Sequence, residues 1–281
     1  WATVQTQAQG LAGQRDAAKG AKRAGLHKKL QDLLVDFAAE LAQVSVLDPA
    51  AGSGNFLYLA LLSLLDLWKE IYDLMLALGL TPISPLADIA PSPGQLYGLE
   101  INPFAHELAQ ATIWIGYIQW LRVNGFGAPP EPILKPLQTV RRLDAILAYD
   151  AAGQPVEPQW PQADVIIGNP PFLGGGKIRS ELGDAYTNDL FKLYGDRLPN
   201  FSDLVCYWFE KARGMIEAGK AKRAGLLATQ GIRGGANRTV LERIKQTGDI
   251  FWAQSDRNWI LDGATVHVSM IGFDNSLEQL R

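Results

Sequence analysis

An apolar run from Val44 to Leu47 stops at Asp48, and Asp48-Pro49-Ala50-Ala51-Gly52-Ser53-Gly54 leads directly into a long helical pattern from Asn55 to about Leu78. Strand, glycine turn and helix in immediate succession form the first half of a crossover unit, which points to a sheet of parallel strands with helices on its faces. The pattern repeats. Gln95 to Leu99 reads as a second strand ending at Glu100, and Asn102-Pro103 supplies an N-cap with proline at the first helical position for a helix reaching about Arg122. Thr139 to Asp144 reads as a third strand with an acidic end. Val165 to Gly168 reads as a fourth, running into Asn169-Pro170-Pro171-Phe172.

Past a glycine-rich stretch, the spacing predicts a helix from about Ser202 to Ala218 with Ser202-Asp203 as its N-cap. A fifth strand follows near Ala224 to Thr229, then a helix from about Arg238 to Gln246. Ile250 to Gln254 and Val266 to Phe273 are strand-like runs with no room for a helix between them, so that pair is predicted antiparallel. The expected fold is α/β and Rossmann-like: a doubly wound, mostly parallel seven-stranded sheet with one antiparallel strand and a C-terminal β-hairpin. Two proline-rich connections, one with Pro82, Pro85, Pro91 and Pro93, the other with Pro129, Pro130, Pro132 and Pro136, read as surface loops. Residues 1–43, with Leu30, Leu33, Leu34, Phe37 and Leu41 at helical spacing, read as a helical lead-in to a catalytic domain over 44–281.

A chain of 281 residues that is 47% hydrophobic and 20% charged can bury a full core. Its net charge of -3 argues against gripping nucleic acid by bulk electrostatics and leaves only a regional basic face. A single cysteine, Cys206, excludes an internal disulfide, and His27, His106 and His267 stand apart with no zinc spacing, so no metal is expected. The apolar stretch from Phe56 to Leu80 is broken by Asp66, Lys69, Glu70 and Asp73, which is helix patterning rather than a membrane span. With no signal-peptide pattern, the expected location is cytoplasmic. Beginning at Trp1 and ending at Arg281, the chain reads as a piece of a longer protein.

The two loops call for different ligands. Gly52 and Gly54 let backbone approach a ligand, and the start of the following helix offers free N–H groups. A Gly-x-Gly without a third glycine at the Rossmann position, and without a following Gly-Lys-Ser/Thr, is not a P-loop. Glu100 stands where a ribose diol is met beyond the carboxyl end of a strand, and Asp144 is placed to accept from an adenine amino group. In the second loop, successive prolines fix an extended, rigid backbone. The Asn169 side-chain oxygen and the Pro170 carbonyl can then accept both hydrogens of one exocyclic amine, while Phe172 offers a stacking face. An aromatic amine is a poor nucleophile. Two acceptors on its hydrogens favour a pyramidal nitrogen and the positive charge that grows on it during attack.

In that order, Asp48 to Gly54 followed by Asn169 to Phe172 resembles the amino-methyltransferases of DNA that use S-adenosylmethionine. The likeness extends through Asn55-Phe56-Leu57, Tyr97 to Asn102, Leu173-Gly174-Gly175, Ser202 to Val205, Arg223 to Arg238 and Gly263 to Phe273. Together these resemble the methyltransferase domain of the MmeI-type, type IIL, single-chain restriction-modification proteins. The resemblance implies a class I methyltransferase fold, transfer to adenine N6, and the gamma order of motifs. It implies a cofactor site of Asp48, Ala50, Gly52, Gly54, Asn55, Phe56, Glu100, Ile101, Asp144 and Asn169, with Gly52 and Gly54 at the methionine part, Glu100 at the ribose, Ile101 on the adenine face and Asp144 at its amino group. Asn169, Pro170, Pro171 and Phe172 are implied to hold a target adenine flipped out of the duplex. Two features depart from the family. Ala51 stands where cysteine is frequent, and residues 1–47 lack the upstream Gly-x-x-Tyr-type segment, as the chain lacks a nuclease motif and a target-recognition domain.

Lys177, Arg179, Arg233 and Arg238, in glycine-containing loops after the fourth and fifth strands, are candidates to meet DNA phosphates around the flipped nucleotide; solvated surface charge is the plainer alternative. Trp114, Trp120, Trp208, Phe209 and Cys206 read as packing residues. Two other functions stay open from the residues alone. One is methylation of a different planar amine or amide, an RNA base or a protein glutamine; the other is a non-catalytic, cofactor-binding module.

Overall fold

The computed structural model describes residues 1–84, 87, 89–127, 136–261 and 264–276. Pro85, Pro129, Pro130, Pro132 and Gly263 lie outside the described residues. The chain divides into two compact units, one of Trp1–Val44, Tyr58–Gln95 and Ala111–Leu137, the other of Ser45–Leu57, Leu96–Gln110 and Gln138–Arg281.

The first unit is helical. It holds α1 (Ala2–Ala17), α2 (Gly20–Gln43) and the greater parts of α3 (Asn55–Ala77) and α4 (Pro103–Val123). The N-terminal region thus contains two helices, where helical spacing marked one, over Leu30 to Leu41. On α2, Leu30, Leu34, Ala38 and Leu41 form the buried stripe, a spacing of one helical face. Gln95 ties the unit together, its side-chain amide donating to the carbonyls of Leu41 (3.3 Å) and Val44 (2.7 Å). Trp68, Tyr72, Trp120 and Phe126 form an aromatic cluster in which the Trp120 indole donates to Asp66 at 2.7 Å. Trp120 is a packing residue, as its helical spacing predicts.

The second unit is built on a seven-stranded sheet of β1 (Val46–Asp48), β2 (Leu96–Glu100), β3 (Val140–Arg142), β6 (Val165–Gly168), β7 (Arg223–Thr229), β8 (Asp249–Leu261) and β9 (Ala264–Asp274). A separate two-stranded ribbon pairs β4 (Ala148–Tyr149) with β5 (Pro155–Val156). The sheet order is β3-β2-β1-β6-β7-β9-β8. Pairings from β3 through β7 are parallel, and β9 runs antiparallel to both its neighbours as the second arm of the terminal hairpin. This is the expected doubly wound sheet with one reversed strand. β3 is shorter than the sequence suggests because Asp144 turns the chain, its Oδ1 accepting from the amides of Ile146 (2.8 Å) and Leu147 (3.2 Å).

Helix α4 starts as predicted: the Asn102 side-chain oxygen accepts from the amides of Phe104 (2.9 Å) and Ala105 (3.1 Å). The region after Phe172 holds two helices that the glycines obscured, α5 (Ile178–Leu182) and α6 (Asp184–Tyr194), ahead of α7 (Val205–Glu217) and α8 (Arg238–Thr247). The Ser202-Asp203 N-cap is not formed. α7 begins after Leu204 without a side-chain cap, because the Asp203 carboxylate turns instead to the backbone of Gly175. Phe209, fully buried, stacks on Phe273, and Cys206, also fully buried, has its thiol pushed up to about 12 by burial, which makes it a packing residue. Among the described residues, no helix is long and apolar enough to cross a membrane.

Candidate functional site

The order of the sheet reverses between β1 and β6, and a ligand crevice is expected outside the carboxyl ends of the strands at that switch point. A cavity of about 390 Å³ lies there. Pro49 and Ala50 enter it from the end of β1, Glu100 and Ile101 from β2, Asp144 from the turn after β3, and Asn169 and Pro171 from the loop after β6. Residues separated by 119 positions therefore share one wall, as the parallel pairing of Val46 with Val165 and Leu47 with Ile166 requires.

The loop after β1 is held by its own backbone. Ala51 N–H donates to Leu99 O at 3.0 Å and Gly54 N–H to Ala51 O at 2.8 Å. Gly52 N–H donates to Glu100 Oε2 at 2.8 Å, and the other carboxylate oxygen accepts from Asn102 N–H at 2.7 Å. Glu100 is thus aimed by two backbone donors while keeping acceptor capacity for a ligand. Gly54 has φ +82°, and a Cβ there would lie 2.9 Å from the Cα of Ala109, so this glycine serves the approach of α4 to the loop. Neither Gly52 nor Gly54 lines the cavity, and neither do Asn55 and Phe56.

Asp48 is buried behind the loop. Its Oδ1 accepts from Ala50 N–H at 3.0 Å, while Oδ2 is buried with no hydrogen-bond partner among the described residues. Burial pushes its pKa up to about 7, the Glu100 charge adding and the Ala50 amide opposing. Asn169 Oδ1 is likewise buried and unpartnered. Two buried oxygen acceptors without donors are costly inside a protein.

Pro170 is buried, and Phe172 is half-buried and packed against the core of the sheet unit; the cavity meets Pro171 from that loop. The opposite wall comes partly from two helices that the sequence reading did not mark. Leu182 and Tyr186, from α5 and α6, close it together with Leu204 and Trp208. The Tyr186 hydroxyl donates to Asp144 Oδ2 at 2.7 Å, and burial, then the Asp144 charge, push the phenol's pKa far above its usual range. The Trp208 indole donates to Pro49 O at 2.9 Å, so a residue read only as packing also fixes the first loop. The signal that could have found α6 is the buried spacing of Thr187, Leu190 and Tyr194.

The four basic candidates do not all lie in loops. Lys177 ends a short 3-10 turn and is exposed, and Arg179 lies within α5, paired with Asp184 at 2.6 Å and bonded to Asn188. Arg233 pairs with Asp256 at 3.1 Å, and Arg238 opens α8 and pairs with Glu242 at 3.0 Å. Three of the four already have carboxylate partners, exposed pairs of the kind that exchange readily with other anions.

Sheet order, crevice and the two loops at the switch point give the domain a class I methyltransferase type of fold. The family described as MmeI, DNA-methyltransferase domain, matches residues 21–281, and the chain belongs to it. It is 26% identical over 260 residues to DNA methyltransferase A of Bacillus subtilis (strain 168), a match spanning 88% of this chain and 28% of that protein. Among solved structures, the type IIL restriction-modification enzyme MmeI in complex with DNA superposes with a TM-score of 0.69 at 24% identity, over 89% of this chain and 33% of that one. The ATP-dependent type ISP restriction-modification enzyme LlaBIII bound to DNA gives 0.56 at 15% identity, over 89% and 18%. The family match makes this a DNA-methyltransferase domain, and the two solved structures share its fold. The chain spans about a third or less of the length of each of these relatives.

Proposed function

We propose that this domain transfers a methyl group from S-adenosylmethionine to the exocyclic N6 amine of an adenine flipped out of DNA, within a restriction-modification protein. The observation that carries the reading is Asn169, whose Oδ1 is buried and unpartnered, among the residues lining a cavity that also holds Glu100 and Asp144.

The site fits the cofactor by its donor and acceptor chemistry. Acceptors are prominent among its polar groups: the carboxylates of Glu100 and Asp144, the Asp48 carboxyl behind them, and the Asn169 oxygen. S-adenosylmethionine is cationic and rich in donors, with an ammonium, a ribose diol and an adenine amine. Glu100 would hold the diol, Ile101 the adenine face, and Asp144 the adenine amine through the acceptor position left beside the Ile146, Leu147 and Tyr186 donors. Asp48, Ala50, Gly52, Gly54, Asn55 and Phe56 would shape the methionine end, Gly54 by setting the loop against α4. When bound, the cofactor supplies an electrophilic methyl group on a sulfonium.

The chain's own part is to make the amine reactive. Asn169 Oδ1 and the Pro170 carbonyl accept its two hydrogens, which favours pyramidal nitrogen and stabilises the charge that grows there. Pro170 and Pro171 restrict the backbone that carries both acceptors, which limits reorganisation during the reaction. Phe172, braced against the core, supplies the stacking face for the base. Lys177, Arg179, Arg233 and Arg238 would meet phosphates around it, with a salt-dependent contribution to affinity.

The test is transfer of labelled methyl from S-adenosylmethionine to duplex DNA by the full-length natural protein, with the product digested and analysed for N6-methyladenine. Asn169→Ala should slow transfer by about 10²–10³-fold, the scale of losing one preorganised hydrogen-bonding group. In calorimetric titration, Glu100→Ala should weaken cofactor binding. Label in RNA or protein instead of DNA, or an Asn169→Ala variant of normal activity, would overturn the reading.

A further inference from the structure

The acceptor loop is anchored at its upstream end by the sheet, through the pairing of Gly168 with Leu226. Its downstream end runs into a short 3-10 turn, Gly175–Lys177. Leu173 to Gly175 presses against the segment that precedes α7. Leu204 N–H donates to Leu173 O at 2.8 Å, and the Asp203 carboxylate accepts from Gly175 N–H at 2.9 Å. The two backbones touch: a Cβ at Gly175 would overlap the carbonyl of Phe201, so only glycine fits.

The Asp203 segment is itself held from a third direction. Asn237 Oδ1 accepts from Asp203 N–H at 2.7 Å, and Asn237 Nδ2 donates to Gly231 O at 3.2 Å, across the turn that follows β7. Gly231 packs beside the Asp203 carboxylate, whose Oδ2 would lie 3.5 Å from a Cβ there. Two side chains, Asp203 and Asn237, thus join three segments that are far apart in sequence. One of those segments continues from the methyl-acceptor loop into Lys177; another carries Arg233 and ends at Arg238.

We propose that Asp203 and Asn237 are positioning residues for the acceptor loop, joining the backbone beyond Phe172 to the turn that carries the basic residues. Neither lines the cofactor cavity. Their effect falls on where Asn169 Oδ1 and the Pro170 carbonyl stand relative to the amine, and on how that geometry is coupled to the bound duplex. This inference rests on the proposed methyl transfer to DNA.

The experiment uses the full-length natural protein, with single-turnover methylation of duplex DNA measured beside calorimetric cofactor affinity and thermal unfolding. Asp203→Ala and Asn237→Ala should each slow methyl transfer by about 10- to 10²-fold, the scale of a roughly 1 Å misplacement of a reacting group, with cofactor affinity changed less than about twofold. Asp203→Asn keeps an oxygen to accept from Gly175 and should recover most of the rate. Asn237→Asp keeps the acceptor but loses the donor to Gly231, and should recover only part. Transfer at the wild-type rate in both alanine variants overturns the proposal. So does a slowed Asp203→Ala variant whose cofactor affinity falls in parallel, or one that Asp203→Asn fails to rescue. If the wild-type protein itself leaves DNA unmethylated in this assay, the functional reading fails first.

Discussion

Asp48, at the end of β1, and Glu210, in the middle of α7, are carboxylates with almost no exposed surface, 1% and 0%. Their surroundings differ. Glu210 is enclosed by cations: Arg213 donates to both of its oxygens (3.0 and 2.8 Å), and Arg243 does the same (3.0 and 2.9 Å). Although burial opposes ionisation, these bonds hold its carboxyl below the usual range, and Arg213 is pushed above its own. Asp48 receives a single backbone amide, has an unpartnered oxygen and feels the negative charge of Glu100. One region is complete in its hydrogen bonding and reads as structure. The other is incomplete in the same terms, and it lies at the switch point of the sheet. Burial of a carboxylate is therefore uninformative about function until its partners are counted.

The largest effect that would sharpen this contrast is on stability. Glu210→Gln leaves two guanidinium groups around a neutral partner and should cost about 3–5 kcal/mol in urea unfolding, while leaving cofactor affinity unchanged. An unaltered unfolding midpoint would break the contrast from the structural side. Asp48 should give a smaller and opposite result. Its folded-state pKa lies above its unfolded value, so the folded chain holds that proton more tightly; its contribution is greatest below about pH 4 and is lost as pH rises towards about 7. Asp48→Asn, which keeps an oxygen for the Ala50 amide, should therefore stabilise the chain at pH 7 relative to pH 5 by about 2 kcal/mol. Urea midpoints at the two pH values measure it, and an equal shift at both would show that Asp48 is no more perturbed than a surface acid.

Tyr186→Phe should have the smallest effect. Removing the hydroxyl donor to Asp144 should change cofactor affinity by about 1 kcal/mol, roughly fivefold, in calorimetric titration, with Asn169-dependent methylation retained at saturating cofactor. A loss of methylation that excess cofactor does not restore would move Tyr186 from the cofactor side of the site to the acceptor side.

Much of this site is legible because it is written in local backbone chemistry. Pro170-Pro171 fixes its own φ angles, Asn102-Pro103 caps and starts α4, and the alternation of apolar runs with helical spacing places Glu100 and Asn169 at strand ends. Each of these signals spans a few residues and survives in any tertiary context. Asp203 shows the opposite case. Its position before a helical pattern suggests a cap, yet its carboxylate serves a backbone amide 28 residues away.

By itself, the sequence determined the class of fold, the two loops, and the acids and asparagine that stand at the carboxyl edge of the sheet, since period and turn chemistry act over short stretches of chain. Only the tertiary structure decided which of those residues share a cavity. It decided that Tyr186, 42 positions from Asp144, closes it, that Gly54 serves helix packing, and that Asp48 and Glu210 are opposite in kind. The physical reason is that hydrogen-bond satisfaction and desolvation depend on every group within a few ångströms, and the neighbours that matter here are supplied by distant segments brought together by strand order.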